Sequence, residues 1–305
     1  MPELPDIVVY LEALERRVMG MTVQGFRVSS PSVMRTWDPP HESAVGRVVT
    51  GLHRVGKRIV FELGELDHPG GPSEPIFLVI HLMIAGRLRW EPPGKPVPRK
   101  VGLAAIDFPD GSLILTEQGT HKRAGIWMCR DWDAVAELDR GGIEPLDASP
   151  EEFARALRAE NRTLKRALTD PRIFSGIGNA YSDEILWEAR MSPVKRTGQM
   201  SDEEVETLRQ AVVSSLIAWT DRLRTEVGED WPKKVTAFRD DMAVHGKYEQ
   251  PCPRCGSKVQ RIVYSSNETN YCATCQTGGK LLADRSLSRL LKDDWPKTLE
   301  ELEEG

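Results

Sequence analysis

Long apolar runs are missing from this chain of 305 residues. No stretch approaches the ~20 consecutive apolar residues of a helical membrane span. The N-terminus has no basic-then-apolar signal pattern, so a cytosolic location is expected. Positive charge is not in excess either. The net charge is −5, so global charge does not announce a nucleic-acid binder. Cysteine is scarce, with five residues. Four are clustered, and Cys129 stands alone in an apolar strand-like stretch, where it reads as a buried small hydrophobe. There is no internal repeat and no low-complexity tract. What remains is an ordinary soluble composition, 40% apolar and 29% charged, and at this length two domains are expected.

Charge is unevenly spread. From Cys252 to Lys292 there are seven basic residues against two acids, a net of +5. From Asp293 to Gly305 there are six acids and one lysine, a net of −5. A basic module is thus masked by an acidic tail.

Taken in order, residues 7–19 carry apolar side chains at helical spacing, with Arg16 and Arg17 on the other face. Residues 20–130 read as β: TVQGFRVSS, GRVVTGLHRV, KRIVFELG, IFLVIHLM, GRLRW, VGLAAIDF, SLILTE and AGIWMC, separated by Gly, Pro and Asp turn signals. Many short strands at regular spacing suggest a β-sandwich or barrel. From about Pro150 the pattern turns helical. Ser149 with Glu152, and Ser201 with Glu204, have capping-box spacing. Gly176 and Gly178 precede Asn179 and a helix of roughly 180–189. Residues 225–250 are polar and irregular, as in a linker or mobile loop.

Three stretches carry chemistry. The chain begins Met1-Pro2-Glu3. Initiator methionine is usually removed before proline, which leaves Pro2 as a secondary amine at the N-terminus. An α-amine titrates near pH ~8, so part of it is unprotonated at neutral pH and able to attack carbon. Attack on an aldehyde-level carbon gives an iminium, and Glu3 beside it can move protons. On its own, proline at position 2 means no more than a stable N-terminus. Cys252-x2-Cys255 and Cys272-x2-Cys275, sixteen residues apart, match the spacing of a closed, structural zinc site. Redox thiols are the competing reading, and the expected cytosolic setting argues against disulfides. A zinc hairpin of net positive charge would suit phosphate contact. Gly176-Ile177-Gly178-Asn179 could bring backbone and an amide close to a phosphate at a helix N-terminus, or be plain helix entry with Asn179 as N-cap.

Together, in this order, Met-Pro-Glu-Leu-Pro, a β-rich half, a glycine loop before Asn179 and a four-cysteine hairpin resemble the formamidopyrimidine-DNA glycosylase/endonuclease VIII family. The resemblance spans roughly 1–276, and Leu4-Pro5 places it with the formamidopyrimidine branch. It implies an α+β fold: an N-terminal β-sandwich with a leading helix (1–135), a helix–two-turn–helix domain (148–224), a linker or loop (225–250), a zinc-finger β-hairpin (251–276) and a C-terminal helical extension (277–305). It implies a monomeric, cytoplasmic, nucleoid-associated base-excision-repair enzyme. Its partner would be double-stranded DNA with a damaged base or abasic site, and its one cofactor a structural Zn2+ on Cys252, Cys255, Cys272 and Cys275. Pro2 matches the nucleophile, Glu3 the catalytic acid and Lys57 the catalytic lysine. His81 and Asn179 match phosphate contacts.

Other positions depart from the family. Asn267 stands where the finger has an arginine, so Arg261, Lys280 or Arg285 would have to supply the charge. Ile84 stands where a methionine enters the helix. No phenylalanine wedge is visible in 118–125, which leaves Lys122 and Arg123 as candidates to enter the helix. Asp6 replaces a glutamate, and no lesion-capping segment is recognisable in 225–250. About 30 residues follow the last cysteine and read as a basic helix, a Trp-Pro break and an acidic helix. The expectation is therefore a glycosylase/lyase with altered lesion preference. A non-catalytic relative that binds damaged DNA, and an RNA-associated zinc protein, are the competing readings.

Overall fold

Each of the eight β-prone segments forms one strand: β1 (Gly25–Val28), β2 (Val48–Val55), β3 (Arg58–Gly64), β4 (Ile76–His81), β5 (Gly86–Glu91), β6 (Gly102–Phe108), β7 (Gly111–Glu117) and β8 (Gly125–Cys129). The structure, a computed structural model, describes all residues except 66–73, 120, 236–237, 265–266, 283–296, 300 and 302–305. The strands pair antiparallel in two four-stranded sheets, ordered β1-β6-β7-β5 and β2-β3-β4-β8. Alternation along β3 decides which face meets which core. Ile59, Phe61 and Leu63 join Leu78, Ile80, Leu113 and Leu115 in the main core between the sheets. Val60 faces the other way, with Phe77, Val79 and Cys129, under a short helix α2 (Trp132–Ala136). Burial on both faces explains why β4 reads as an unbroken apolar run.

The leading helix α1 (Leu4–Val18) starts before the expected Ile7. Pro5 fits its first turn, where a missing N–H is not needed. Glu3 is the N-cap, and its backbone N–H donates to Asp6 Oδ2 at 2.9 Å. Asp6 thus holds the reciprocal arm of a capping box. Ile7, Tyr10 and Leu14 enter the main core.

The remaining helices are α3 (Pro150–Arg158), α4 (Leu164–Thr169), α5 (Asn179–Glu188) and α6 (Asp202–Val227). The ribbon β9 (Val259–Tyr264) and β10 (Asn267–Cys272) follows, then α7 (Ala273–Thr277). Both capping boxes form: Glu152 N–H donates to Ser149 Oγ at 3.2 Å, and Glu204 N–H to Ser201 Oγ at 3.2 Å.

The chain divides into two compact units, Met1–Arg140 with Trp219–Thr236, and Gly141–Ala218 with Ala237–Gly305. The division cuts through α6 and the segment expected to be a linker. Trp231 and Val235 are buried in the main core of the first unit. The Trp231 indole donates to the Leu88 carbonyl at 2.9 Å, and Arg17 of α1 lies over its ring at 5.7 Å. Val244 and His245 are buried in the second unit. After α7, Lys280 bridges to Thr298, and Leu281 and Leu299 pack on Ile262 and Tyr271. The rest of the expected C-terminal helices, Arg285 included, lies outside the described residues. No helix among the described residues is long and apolar enough to cross a membrane.

Candidate active site and zinc centre

The first unit gathers the N-terminal candidates. Pro2 and Glu3 are buried at the head of α1, with Glu3 only 1% exposed. Burial holds the Met1 amine below its ordinary value. Glu3 and Asp6 oppose that shift, while Arg87 and Lys57 reinforce it. Four charged side chains therefore act on the amino terminus, two of each sign. Lys57, whose charge acts on this group, sits in the two-residue turn Gly56-Lys57 between β2 and β3, closed by the Val55–Arg58 pair. Gly56 has φ +60°, the left-handed conformation that glycine adopts without strain.

His81 ends β4, opposite Arg58 of β3 and Gly125 of β8. Burial holds its imidazole down to about 4, and Arg58 and Lys57 push the same way. It is neutral at pH 7, with one ring N–H to donate. An unfolded histidine titrates near 6.5, so between about pH 6.5 and 4 the unfolded chain takes up a proton that the folded chain refuses. The stability contributed by the neutral ring is complete above that window. It is lost as pH falls through it, at no more than about 1.4 kcal/mol per unit. An NMR titration should place the His81 midpoint near 4; one near 6.5 would contradict this environment.

Ile84 is 56% exposed on the turn between β4 and β5. That turn closes with Gly86 N–H donating to the Leu82 carbonyl at 2.9 Å, and a Cβ at Gly86 would meet the same oxygen at 2.3 Å. Arg87 supports the turn by donating to the Gly86 carbonyl at 2.7 Å. Lys122 and Arg123 differ. Lys122 donates back to the Glu117 carbonyl, whereas Arg123 is exposed, its backbone N–H fixed by Glu117 Oε2 at 2.7 Å.

The second unit gathers the others. Gly178, not Asn179, is the N-cap of α5. The Asn179 side chain donates to the Glu268 carbonyl in β10 at 2.9 Å, tying the helix start to the ribbon. Lys165, which sequence reasoning did not single out, donates to the Asn179 carbonyl at 2.7 Å and to Asp183 Oδ1 at 2.5 Å. Fully buried Asp183 also accepts from His245 Nδ1 at 2.8 Å and from Asn270 N–H at 3.2 Å. Buried Glu184 accepts three backbone N–H groups, from Ala243, Val244 and His245, at 2.8–3.0 Å. Two consecutive acids in an apolar helix were the available sequence signal, because buried carboxylates need partners.

Arg261 stands opposite Asn270, three residues along β10 from Asn267. Its guanidinium lies over the Tyr248 ring at 4.1 Å and beside Glu268 at 3.4 Å. Asn267 opens β10, paired with Tyr264.

The four clustered cysteines offer sulfurs that all lie within 4.8 Å of one another. Tetrahedral ligation at ~2.3 Å per bond sets sulfurs about 3.8 Å apart, so the donor set fits one zinc ion. The Trp187 indole N–H donates to Cys252 Sγ at 3.3 Å, a contact that favours thiolate. Arg254 lies over Trp187 at 3.9 Å. These observations support a structural Zn2+ held by the four thiolates. Cys129 is apart in β8, its thiol pushed up to about 11 by burial.

Comparison with known proteins agrees across the chain. Residues 1–118 match the formamidopyrimidine-DNA glycosylase N-terminal domain, 142–220 the formamidopyrimidine-DNA glycosylase H2TH domain, and 249–278 the zinc finger found in FPG and IleRS. An uncharacterized formamidopyrimidine-DNA glycosylase-like protein of Mycobacterium tuberculosis is 40% identical over 151 residues, 50% of this chain and 94% of that protein. The formamidopyrimidine-DNA glycosylase of an Exiguobacterium species is 30% identical over 287 residues, 90% of this chain and 99% of that protein. The structure of a complex between Lactococcus lactis Fpg and DNA containing an abasic site matches with a TM-score of 0.77, covering 90% of this chain and 99% of that one. At 23% identity that likeness speaks for the fold.

Proposed function

We propose that this chain, which belongs to the formamidopyrimidine-DNA glycosylase family, is a bifunctional DNA glycosylase and abasic-site lyase acting on double-stranded DNA with a damaged base or abasic site. The observation that carries the reading is the grouping, in one unit, of the amino terminus with Glu3 and Lys57. Burial, opposed by Glu3 and Asp6 and reinforced by Arg87 and Lys57, holds the Met1 amine below its ordinary value, and the same surroundings would favour a neutral Pro2 nucleophile.

The chemistry needs these residue types. The damaged nucleotide is flipped out of the stack. The Pro2 nitrogen bonds to C1′ as the base departs with the glycosidic electron pair. Glu3 protonates the ring oxygen and the sugar opens to an iminium. The iminium acidifies the C2′ proton; its loss expels the 3′ phosphate, and δ-elimination can follow. Lys57 stabilises charge on the phosphate or leaving group. Asn179 and Arg261 contact the DNA backbone from the second unit. Departures at Asn267 and Ile84 support a lesion preference of its own, with oxidised bases as the substrate class.

A panel of duplexes, each with one oxidised base or abasic site, tests this. Strand scission at the lesion is expected, and Lys57→Ala should slow it on oxidised bases by about 100-fold, the scale of one lost electrostatic contact at developing charge. Unchanged base excision in Lys57→Ala on every lesion would remove Lys57 from the mechanism. Binding without scission by the wild type would favour the non-catalytic reading.

A further inference from the structure

Arg58 is taken up by none of the roles above. It opens β3 directly after Lys57 and stands opposite His81, so both side chains lie on one face of the sheet. The next strand carries Gly125 opposite His81. A Cβ there would meet the Trp127 ring at 2.8 Å and Arg35 Nε at 2.9 Å. The row Arg58, His81, Gly125 therefore ends against a second guanidinium. Arg58 lies over the Trp127 ring at 6.0 Å, which restrains its plane. Its Nε is buried and has no hydrogen-bond partner among the described residues. Burial holds its guanidinium below the ordinary value; Arg140 reinforces that shift and Asp139 opposes it.

A buried donor without an acceptor costs about 1–3 kcal/mol, and more when charged. A cation kept there beside Lys57, its buried Nε without an acceptor among the described residues, suits an anion supplied by a ligand. A phosphodiester offers two anionic oxygens, which the planar guanidinium fork matches. We propose that Arg58, with Lys57 and His81, forms a subsite for one phosphodiester of the bound DNA strand. The proposal rests on the DNA-binding reading above. It also bears on Asn267: counterion release counts phosphate contacts wherever they are made, so Arg58 offsets the charge missing from the finger.

The test is the salt dependence of binding by the full chain to a duplex containing a tetrahydrofuran abasic analogue, which cannot react at C1′. Arg58→Gln should lower the slope of log Kd against log salt by about 0.9, shrinking the loss of affinity between 50 and 200 mM by about 3- to 4-fold. Arg58→Lys should keep the wild-type slope. Thermal melting checks that each variant folds, and where Arg58→Gln does not, Arg58→Met, which keeps the apolar stem without the charge, is measured in its place against the same expected slope. A folded Arg58→Gln with the wild-type slope, or an Arg58→Lys slope lowered by about 0.9, overturns the inference. Absence of salt-dependent binding by the wild type overturns the DNA reading and this inference with it.

Discussion

Borohydride added to the chain and an abasic-site duplex is expected to trap a covalent protein–DNA adduct, and Pro2→Gly should reduce it by about 100-fold or more. The expectation follows from the amine. Borohydride also reduces the free abasic aldehyde, but only reduction of a protein–DNA iminium leaves a covalent adduct, so trapping reports attack by an amine on C1′, and the variant reports which amine. Pro2 is buried at the head of α1, where Glu3 caps the helix and bonds through its backbone to Asp6. The terminal amine at this place is desolvated, and that lowering prevails although Glu3 and Asp6 oppose what Arg87 and Lys57 reinforce. A chain made to retain Met1 should also lose trapping, because Pro2 nitrogen is then an amide without a lone pair to give. Lys57 carries a second amine whose charge acts on the terminus. Trapping that survives both changes and disappears in Lys57→Ala would move the nucleophile to Lys57. No adduct in the wild type would end the lyase reading.

The strands were legible because each segment alternates or runs apolar between turn residues, a local property. The capping boxes at Ser149 and Ser201 were legible for the same reason. The metal centre followed from spacing, since two C-x-x-C turns of that separation can converge. What was not legible depends on partners distant in sequence. Asn179 donates to a carbonyl 89 residues away, which no pattern around Asn179 encodes. Trp231 sits in a polar stretch without periodicity, and its burial depends on Leu88 and α1. Arg58 reads as an ordinary strand residue until its pairing with His81 is known. The departures at Asp6 and Asn267 differ in kind. Asp6 is absorbed locally, as a shorter carboxylate that still caps Glu3. At Asn267 the charge is absent, and Arg261 stands three residues away along the ribbon.

Replacement of Cys252 by serine is expected to release the zinc and, with it, most DNA affinity, by about tenfold or more. Wild-type chain should hold one zinc per molecule, since the four sulfurs lie within 4.8 Å of one another. Structural zinc sites supply ~10–16 kcal/mol of apparent binding energy in small fingers, and this energy is folding energy. Here the ribbon is also coupled to α5. Asn179 and Asp183 both bond to the β10 backbone, and Trp187 bonds to Cys252 itself. Losing the metal should therefore loosen the start of α5, where Asn179 sits, and not the hairpin alone. Hydrogen exchange would read this as faster exchange at Glu268–Cys272 and at the first turn of α5, with the β3–β4 core of the first unit unchanged. Cys129→Ser is the control: it lies in β8, outside the cluster, and should keep both zinc and DNA binding. A Cys252→Ser chain that retained stoichiometric zinc would contradict the four-thiolate site. One that lost zinc yet bound abasic DNA as the wild type does would remove the finger from recognition.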